Sequence, residues 1–170
     1  MNQSDIQSQL IAWMIDFVEK PNSLLGNWAP CPFARQARVN NKVGIYFLEQ
    51  ETVSCLENTV RALLPTLDDR YEVVVICFDH TQEDFSIENI HTSVNFINQE
   101  LMDNDYVVLE DHPDSVEYVN NVHMNFGKCG LYIVQKLSKL NSASEQLKSK
   151  GYYDYWNQEE LNSVVSWRNR

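Results

Sequence analysis

The stretch Tyr71-Glu72-Val73-Val74-Val75-Ile76-Cys77-Phe78 contains a continuous apolar run that is rich in β-branched residues. β-Branched and aromatic side chains favour strands, and a strand without polar alternation is typical of one that is buried on both faces. The stretch therefore predicts the central strand of a covered sheet. The apolar run is far too short to span a bilayer.

Helix and strand patterns alternate on both sides of this strand. Ser4 with Gln7 indicates a capping box that opens a first amphipathic helix, which is expected to end before Pro21. The same patterns predict further strands at 43–48, 106–109 and 130–135, and further helices at 53–64, 87–101, 140–147 and 161–167. Pro65 is expected to end the second helix. The element order α-β-α-β-α-β-β-α-α predicts a single α/β (α+β) domain over 1–170, with helices packed on a mixed four-stranded sheet.

The order that follows the first helix resembles that of thioredoxin-like folds. The resemblance is limited to the order of elements, because the segment Glu49–Cys55 after the first strand carries no pair of cysteines and no proline opens the third strand. Disulfide exchange is therefore rejected as the function, since fold order alone implies no activity.

Composition excludes several classes of protein. The chain of 170 residues is long enough for one ordinary core, and its net charge of −11 argues against nucleic acid as the main partner. No segment resembles a membrane span or a secretory signal, so a soluble, cytoplasmic protein is expected. Four cysteines without a CxxC pair indicate reduced thiols rather than a disulfide scaffold.

The loop segment Asn27-Trp28-Ala29-Pro30-Cys31-Pro32-Phe33-Ala34-Arg35 places a cysteine between two prolines and two large aromatic residues. Pro30 and Pro32 each have a fixed φ angle, so the Cys31 thiol lies on a stiff segment. One interpretation is a packing corner anchored by Trp28 and Phe33. The others are a metal ligand, an activated nucleophile or a haem ligand, and haem is disfavoured because a lone Cys-Pro dipeptide is a weak signal.

A second long loop, 110–128, supplies partners for this thiol. It carries His112 and His123, and Cys129 follows it directly. Imidazole and thiolate are ligands of zinc and iron, and a cysteine with a histidine also forms a nucleophile and its base. The prediction is a site in which Cys31, His112 and His123 are catalytic, or in which the same three residues bind a metal together with Cys129. Asp79 and His80 end the central strand, where open α/β sheets place ligands.

Four other residues complete the predicted site. Arg35 and Lys128 are expected to bind an anionic group, while Trp28 and Phe33 are expected to wall the pocket. The function predicted from these loops, 27–38 and 110–130, is that of a small enzyme or ligand-binding protein acting on a small molecule or on a group carried by a partner protein. The cofactor is left open, and zinc or iron is the metal that such a Cys/His site would bind.

The alternative is a non-catalytic, acidic interaction or regulatory module. Its main feature is the aromatic segment Tyr152-Tyr153-Asp154-Tyr155-Trp156 near the end of the chain. Aromatic side chains grouped in this way often anchor protein interfaces, including those of homodimers. The two hypotheses predict different surfaces, one between the two long loops and one at the C-terminal segment.

Overall fold

The run at 71–78 forms the predicted central strand. In the computed structural model, which describes residues 2–49, 52–115 and 117–168, Val73–Phe78 lies between two other strands and is buried from Val74 onward. The strands of the described residues are β1 (Val43–Phe47), β2 (Val73–Phe78), β3 (Tyr106–Asp111), β4 (Tyr118–Val119), β5 (Val122–His123) and β6 (Gly130–Lys136).

The main sheet is mixed and has four strands, as predicted. Its order is β1-β2-β6-β3, with β1 parallel to β2 and with β6 antiparallel to both of its neighbours. The last strand of the sheet is therefore inserted between the second and the third. This order makes β1 and β3 the two edges. The strands β4 and β5 form a separate two-stranded hairpin.

Helices cover both faces of the main sheet. Those of the described residues are α1 (Gln3–Trp13), α2 (Ala34–Val39), α3 (Val53–Asp69), α4 (Ile87–Leu101), α5 (Leu137–Ser149) and α6 (Gln158–Val164). On one face α1 packs through Leu10 against β1, β2 and β6. On the other face α3 and α4 bury apolar stripes against the same sheet. No helix in the described part of the chain is long and apolar enough to cross a membrane.

Two helix boundaries differ from the predictions. The first helix is capped by Asn2, whose Oδ1 accepts from Asp5 N–H at 3.4 Å, rather than by a Ser4–Gln7 box. Pro65 does not end α3, which continues to Asp69. The apolar stripe of α3 continues beyond the proline to Leu67, which is 3% exposed, so packing outweighs the hydrogen bond that proline cannot donate.

Both predicted long loops contain further regular structure. The first, between α1 and β1, holds a 3-10 turn at Ser23–Leu25 and the helix α2. The second holds the β4–β5 hairpin. The loops meet in a small apolar cluster in which Leu25 packs with Val119 and Val122. They are therefore brought together by packing rather than by titratable side chains.

Candidate functional site

The Cys31 segment is fixed mainly through its backbone. Cys31 N–H donates to Val18 O at 3.0 Å, and Cys31 O accepts from Ala34 N–H at 3.1 Å. The residue is exposed, yet the protein packed around its thiol raises the pKa of Cys31, and the Glu19 carboxylate raises it further. Hydrogen bonds from the backbone N–H groups of Phe33 and Ala34, at the start of α2, lower the pKa of Cys31 but do not cancel the increase. The thiol is thus held in its protonated form at neutral pH.

The aromatic C-terminal segment covers this loop and is not a free surface. Tyr152 is only 3% exposed, donates its hydroxyl to Pro30 O at 2.6 Å, and meets Trp28 edge to face at 5.7 Å between ring centroids. Trp156 joins the apolar cluster between the two loops. Tyr155 is the exception, at 56% exposed. The exposure expected of this segment is therefore wrong for Tyr152, while the interaction module itself stays a prediction.

The second loop is held by a buried polar network at the carboxyl end of β3. Asp111 accepts from Phe126 N–H at 2.8 Å and from Asn125 Nδ2 at 3.0 Å. Asn125 also donates to Ser115 O and accepts from Glu117 N–H, both at 2.8 Å. Burial raises the pKa of Asp111, although these donors oppose the shift. The network satisfies the backbone of an irregular loop, which is the usual task of buried polar side chains.

The two predicted histidines lie in different surroundings. His112 is 3% exposed; its Nδ1 accepts from Asp114 N–H at 3.2 Å, and its Nε2 lies 2.9 Å from Phe85 O. The first bond assigns the ring proton to Nε2, so both nitrogens are engaged by the backbone. His123 is exposed on the β4–β5 hairpin, where its ring packs 5.5 Å from that of Tyr118.

Cys129 is a buried neighbour of Cys77, and both are 0% exposed. The contact with Cys77 raises the pKa of Cys129 strongly, and burial adds to the effect. Both cysteines lie in the apolar cluster beneath α1. Their surroundings are those of inert core thiols.

The predicted site residues contact different parts of the fold. In the described ranges no three side chains from His, Cys, Asp and Glu are grouped to hold a metal ion. Arg35 and Lys128 are exposed, Phe33 is 41% exposed, and Trp28 packs on Tyr152. The zinc or iron site stays a prediction without a supporting cluster among the described side chains.

The two edge strands of the main sheet differ in how their outward peptide groups are satisfied. At the middle of β3 a side chain caps them. The amide of Asn98, on α4, accepts from Val108 N–H and donates to Val108 O, both at 2.9 Å. Asn98 is 3% exposed. Its side chain therefore takes the place of a neighbouring strand at the middle of β3, which is one way in which proteins protect an edge from further pairing.

The β1 edge carries no such cap among the described residues. Val73 N–H donates to Lys42 O at 3.2 Å, and Leu48 N–H donates to Cys77 O at 3.0 Å. Because peptide groups alternate sides along a strand, the even-numbered residues of β1 face β2, and Val43, Ile45 and Phe47 point their N–H and C=O groups outward. Three consecutive outward positions are thus available to a further strand.

A groove of about 360 Å³ lies at the start of this open edge. Its walls come from α1, from the end of α2, from the start of β1 and from the turn before β2. The residues that line it are Gln7, Ile11, Met14, Arg38, Asn41, Val43, Gly44, Ile45, Arg70 and Tyr71. Gly44 is required here because a Cβ atom would lie 2.8 Å from the Tyr71 ring. The glycine lets that ring lie directly against the strand.

The end of the groove at Val43 is positively charged. Arg38 is paired with Glu19 through two bonds of 2.6 and 2.9 Å, and this pairing raises the pKa of Arg38. Arg70 lies over the ring of Tyr71 at 4.8 Å, and Lys42 Nζ donates to Arg70 O at 3.2 Å. No carboxylate of the described chain forms an ion pair with Arg70 or Lys42. Of these two cations, Arg70 lines the groove and Lys42 lies next to Val43 in the chain.

Comparison with known proteins adds no identity. Neither the family models nor the curated proteins nor the solved structures contain a match to this chain. Its function must be argued from its own geometry.

Sequence reasoning missed this groove because it depends on the order of strands in the sheet. β1 is an edge because β6 pairs with β2 and β3 and not with the outer side of β1. One signal was present in the sequence: Asn98 interrupts the apolar stripe of α4 between Ile97 and Leu101. A buried asparagine at such a position needs backbone partners, and an edge strand offers them.

Proposed function

We propose that this protein is a binding module that takes up an extended segment of a partner protein along the β1 edge. The observation that carries the proposal is the contrast between the two edges: Asn98 satisfies Val108 at the middle of β3, while Val43 and Ile45 of β1 line an open groove. Addition of a strand to a sheet edge is a common mode of peptide recognition, in which main-chain hydrogen bonds supply affinity.

The groove favours a single extended segment over a second copy of the chain. The edge is recessed between α1 and the residues that precede β2, so two copies of it would be held apart by their own walls. A peptide strand has no such flanking helix. A homodimer through this edge remains the competing prediction. The proposal includes a cytoplasmic location, which is favoured because none of the four cysteines forms a disulfide.

The test is a peptide selection with the full chain and with a variant of the edge. Ile45→Pro removes an outward N–H and fills the edge with a ring, and Ile45→Ala removes similar side-chain packing but keeps the N–H. A displayed library of random peptides is selected on the wild type and counter-selected on Ile45→Pro. We expect enriched peptides whose affinity falls at least about tenfold with Ile45→Pro, equivalent to 1.4 kcal/mol, and changes little with Ile45→Ala.

Val43→Pro serves as the second variant if Ile45→Pro does not fold, because proline is best tolerated at the first residue of a strand. Light scattering measures the oligomeric state of each protein. The proposal fails if no peptide is enriched on the wild type over the proline variant. It also fails if the wild type is a dimer that the proline variant dissociates, because a second copy would then occupy the edge.

A further inference from the structure

We infer that residues 157–168 form a strap that opens as a unit while the rest of the fold stays intact, and that the buried guanidinium of Arg168 keeps its closure weak. The strap comprises α6 and the 3-10 turn Ser166–Arg168. This inference does not depend on the proposed function. Its basis is the set of contacts that dock the strap on the body of the protein.

The helix of the strap satisfies its own start but buries little surface. Asn157 Oδ1 accepts from Glu160 N–H, and Glu160 Oε2 accepts from Asn157 N–H, both at 2.8 Å, which completes a capping box. Every residue of α6 is at least partly exposed. A helix of seven residues is too short to be stable alone, so its order depends on how firmly the strap is docked.

Hydrogen bonds at both ends connect the strap to the body of the protein. Glu160 Oε1 accepts from Asn120 N–H, at the turn of the β4–β5 hairpin, at 2.7 Å. At the far end a guanidinium nitrogen of Arg168 donates to Ser144 Oγ, on α5, at 2.6 Å, and Asn141 Nδ2 donates to Arg168 O at 3.5 Å. Arg168 is 3% exposed, whereas residues 157–167 are all at least partly exposed. The burial of the strap is therefore concentrated at one charged side chain.

The Arg168 guanidinium is buried without a counter-ion in the described part of the chain. Its Nε is also buried and has no hydrogen-bond partner there. Burial lowers the pKa of Arg168, and the Tyr153 phenol opposes this shift. An arginine stays charged in proteins, so it cannot avoid the cost of desolvation by losing its proton. Closing the strap takes this charge out of water, and opening returns it.

The residues that precede the strap are anchored more firmly. Tyr152 is 3% exposed and bonds Pro30 O, and its ring packs 5.7 Å from that of Trp156. Trp156 in turn joins the apolar cluster between the two loops. The moving unit is therefore expected to begin at Asn157. Its opening would uncover Ser144 on α5.

Hydrogen exchange followed by mass spectrometry tests the strap in the full chain. Peptic fragments that cover 157–168 are compared with fragments that cover β2 and α5. After correction for intrinsic rates, we expect the amides of the strap to exchange at least about 100-fold faster than those of β2, and by one common factor along the strap. The amides of α5 should stay protected, because only the strap opens.

Arg168→Met tests the cause of the weak closure. Methionine keeps an unbranched apolar stem and removes the charge, so exchange throughout the strap should slow by at least about fivefold. Arg168→Lys is the matched control: it keeps an uncompensated cation and should not slow exchange. Lys20→Met removes an exposed charge elsewhere and should leave the rates in the strap unchanged.

Glu160→Gln gives a second measurement that does not change Arg168. It replaces one of the two carboxylate oxygens that hold Asn120 N–H and Asn157 N–H, so exchange should quicken by a common factor as far as Arg168. Acceleration confined to the residues around Glu160 would overturn opening as a unit, as would strap amides as protected as those of β2. Exchange in Arg168→Met that is equal to or faster than in the wild type would overturn the role of the buried charge.

Discussion

Removal of the Asn98 amide tests the claim that a side chain closes the β3 edge. The amide makes two hydrogen bonds of 2.9 Å to Val108, and both partners are buried. In Asn98→Ala the Val108 N–H and C=O groups lose their only described partner on that side. Each buried polar group left unsatisfied costs about 1–3 kcal/mol, and water at an edge relieves part of this, so we expect a loss of about 3 kcal/mol.

Urea unfolding followed by circular dichroism measures this loss. The midpoint should fall while the slope of the unfolding free energy against urea stays constant, because the variant changes no large exposed surface. At about 2–4 °C per kcal/mol for a chain of this length, the melting temperature should drop by about 6–12 °C. Asn98→Asp should lose most of the same stability, because its carboxylate keeps the acceptor for Val108 N–H but cannot donate to Val108 O.

Asn95→Ala is the matched control. Asn95 lies on the same helix and is exposed, so its replacement should leave stability unchanged or raise it by up to about 0.7 kcal/mol through helix propensity. A loss below about 0.5 kcal/mol for Asn98→Ala, or equal effects of the two alanine variants, would refute the reasoning. The β3 edge would then not depend on Asn98.

Four further predictions concern the loops and the core. Glu117 is exposed as a residue, yet the protein packed around its carboxyl and the carboxylates of Asp111 and Glu110 raise its pKa to about 7. Its ionisation therefore destabilises the fold as pH rises from the unfolded pKa of about 4.3. Glu117→Gln should be more stable than the wild type at pH 8 and equally stable at pH 4, measured by urea unfolding. Tyr152→Phe removes a hydroxyl that donates to the first loop and should lower stability by about 1 kcal/mol in thermal melts. Mass spectrometry after iodoacetamide treatment should find that Cys31 is labelled faster as pH rises past 9 and that Cys129 is labelled only in urea. Equal labelling rates of the two cysteines in the native protein would contradict the burial of Cys129. Gly130→Ala should fold poorly or lose several kcal/mol, because its Cβ would overlap the buried Phe78 ring.

Periodicity predicted the layers of the fold because burial leaves a direct trace in the sequence. The unbroken run at 73–78 indicated a strand covered on both faces, and the apolar stripes of α3 and α4 indicated helices that pack on it. The same logic explains the error at Pro65. Leu67 continues the stripe one turn beyond the proline, and this spacing was a stronger signal than the helix-breaking residue.

The candidate site was harder to predict because the chemistry of a side chain does not reveal how it is used. His112 and Asn125 have the composition of a catalytic loop, yet their polar atoms bind the backbone that carries them. A loop without regular hydrogen bonding needs such partners for its own N–H and C=O groups. Polar residues concentrated in a long loop are therefore consistent with two roles, hydrogen bonding to the loop backbone and catalysis. Only their contacts distinguish the two.

The two sheet edges give the proposed function its strongest argument, because they belong to the same fold and face the same risk. An unprotected edge pairs with other chains, and the buried amide of Asn98 prevents this at β3. At β1 the first two outward positions, Val43 and Ile45, line a groove that is bordered by α1. On the proposed function, this recessed edge limits strand addition to segments that can enter beside the helix. This selectivity distinguishes a binding site from an aggregation site.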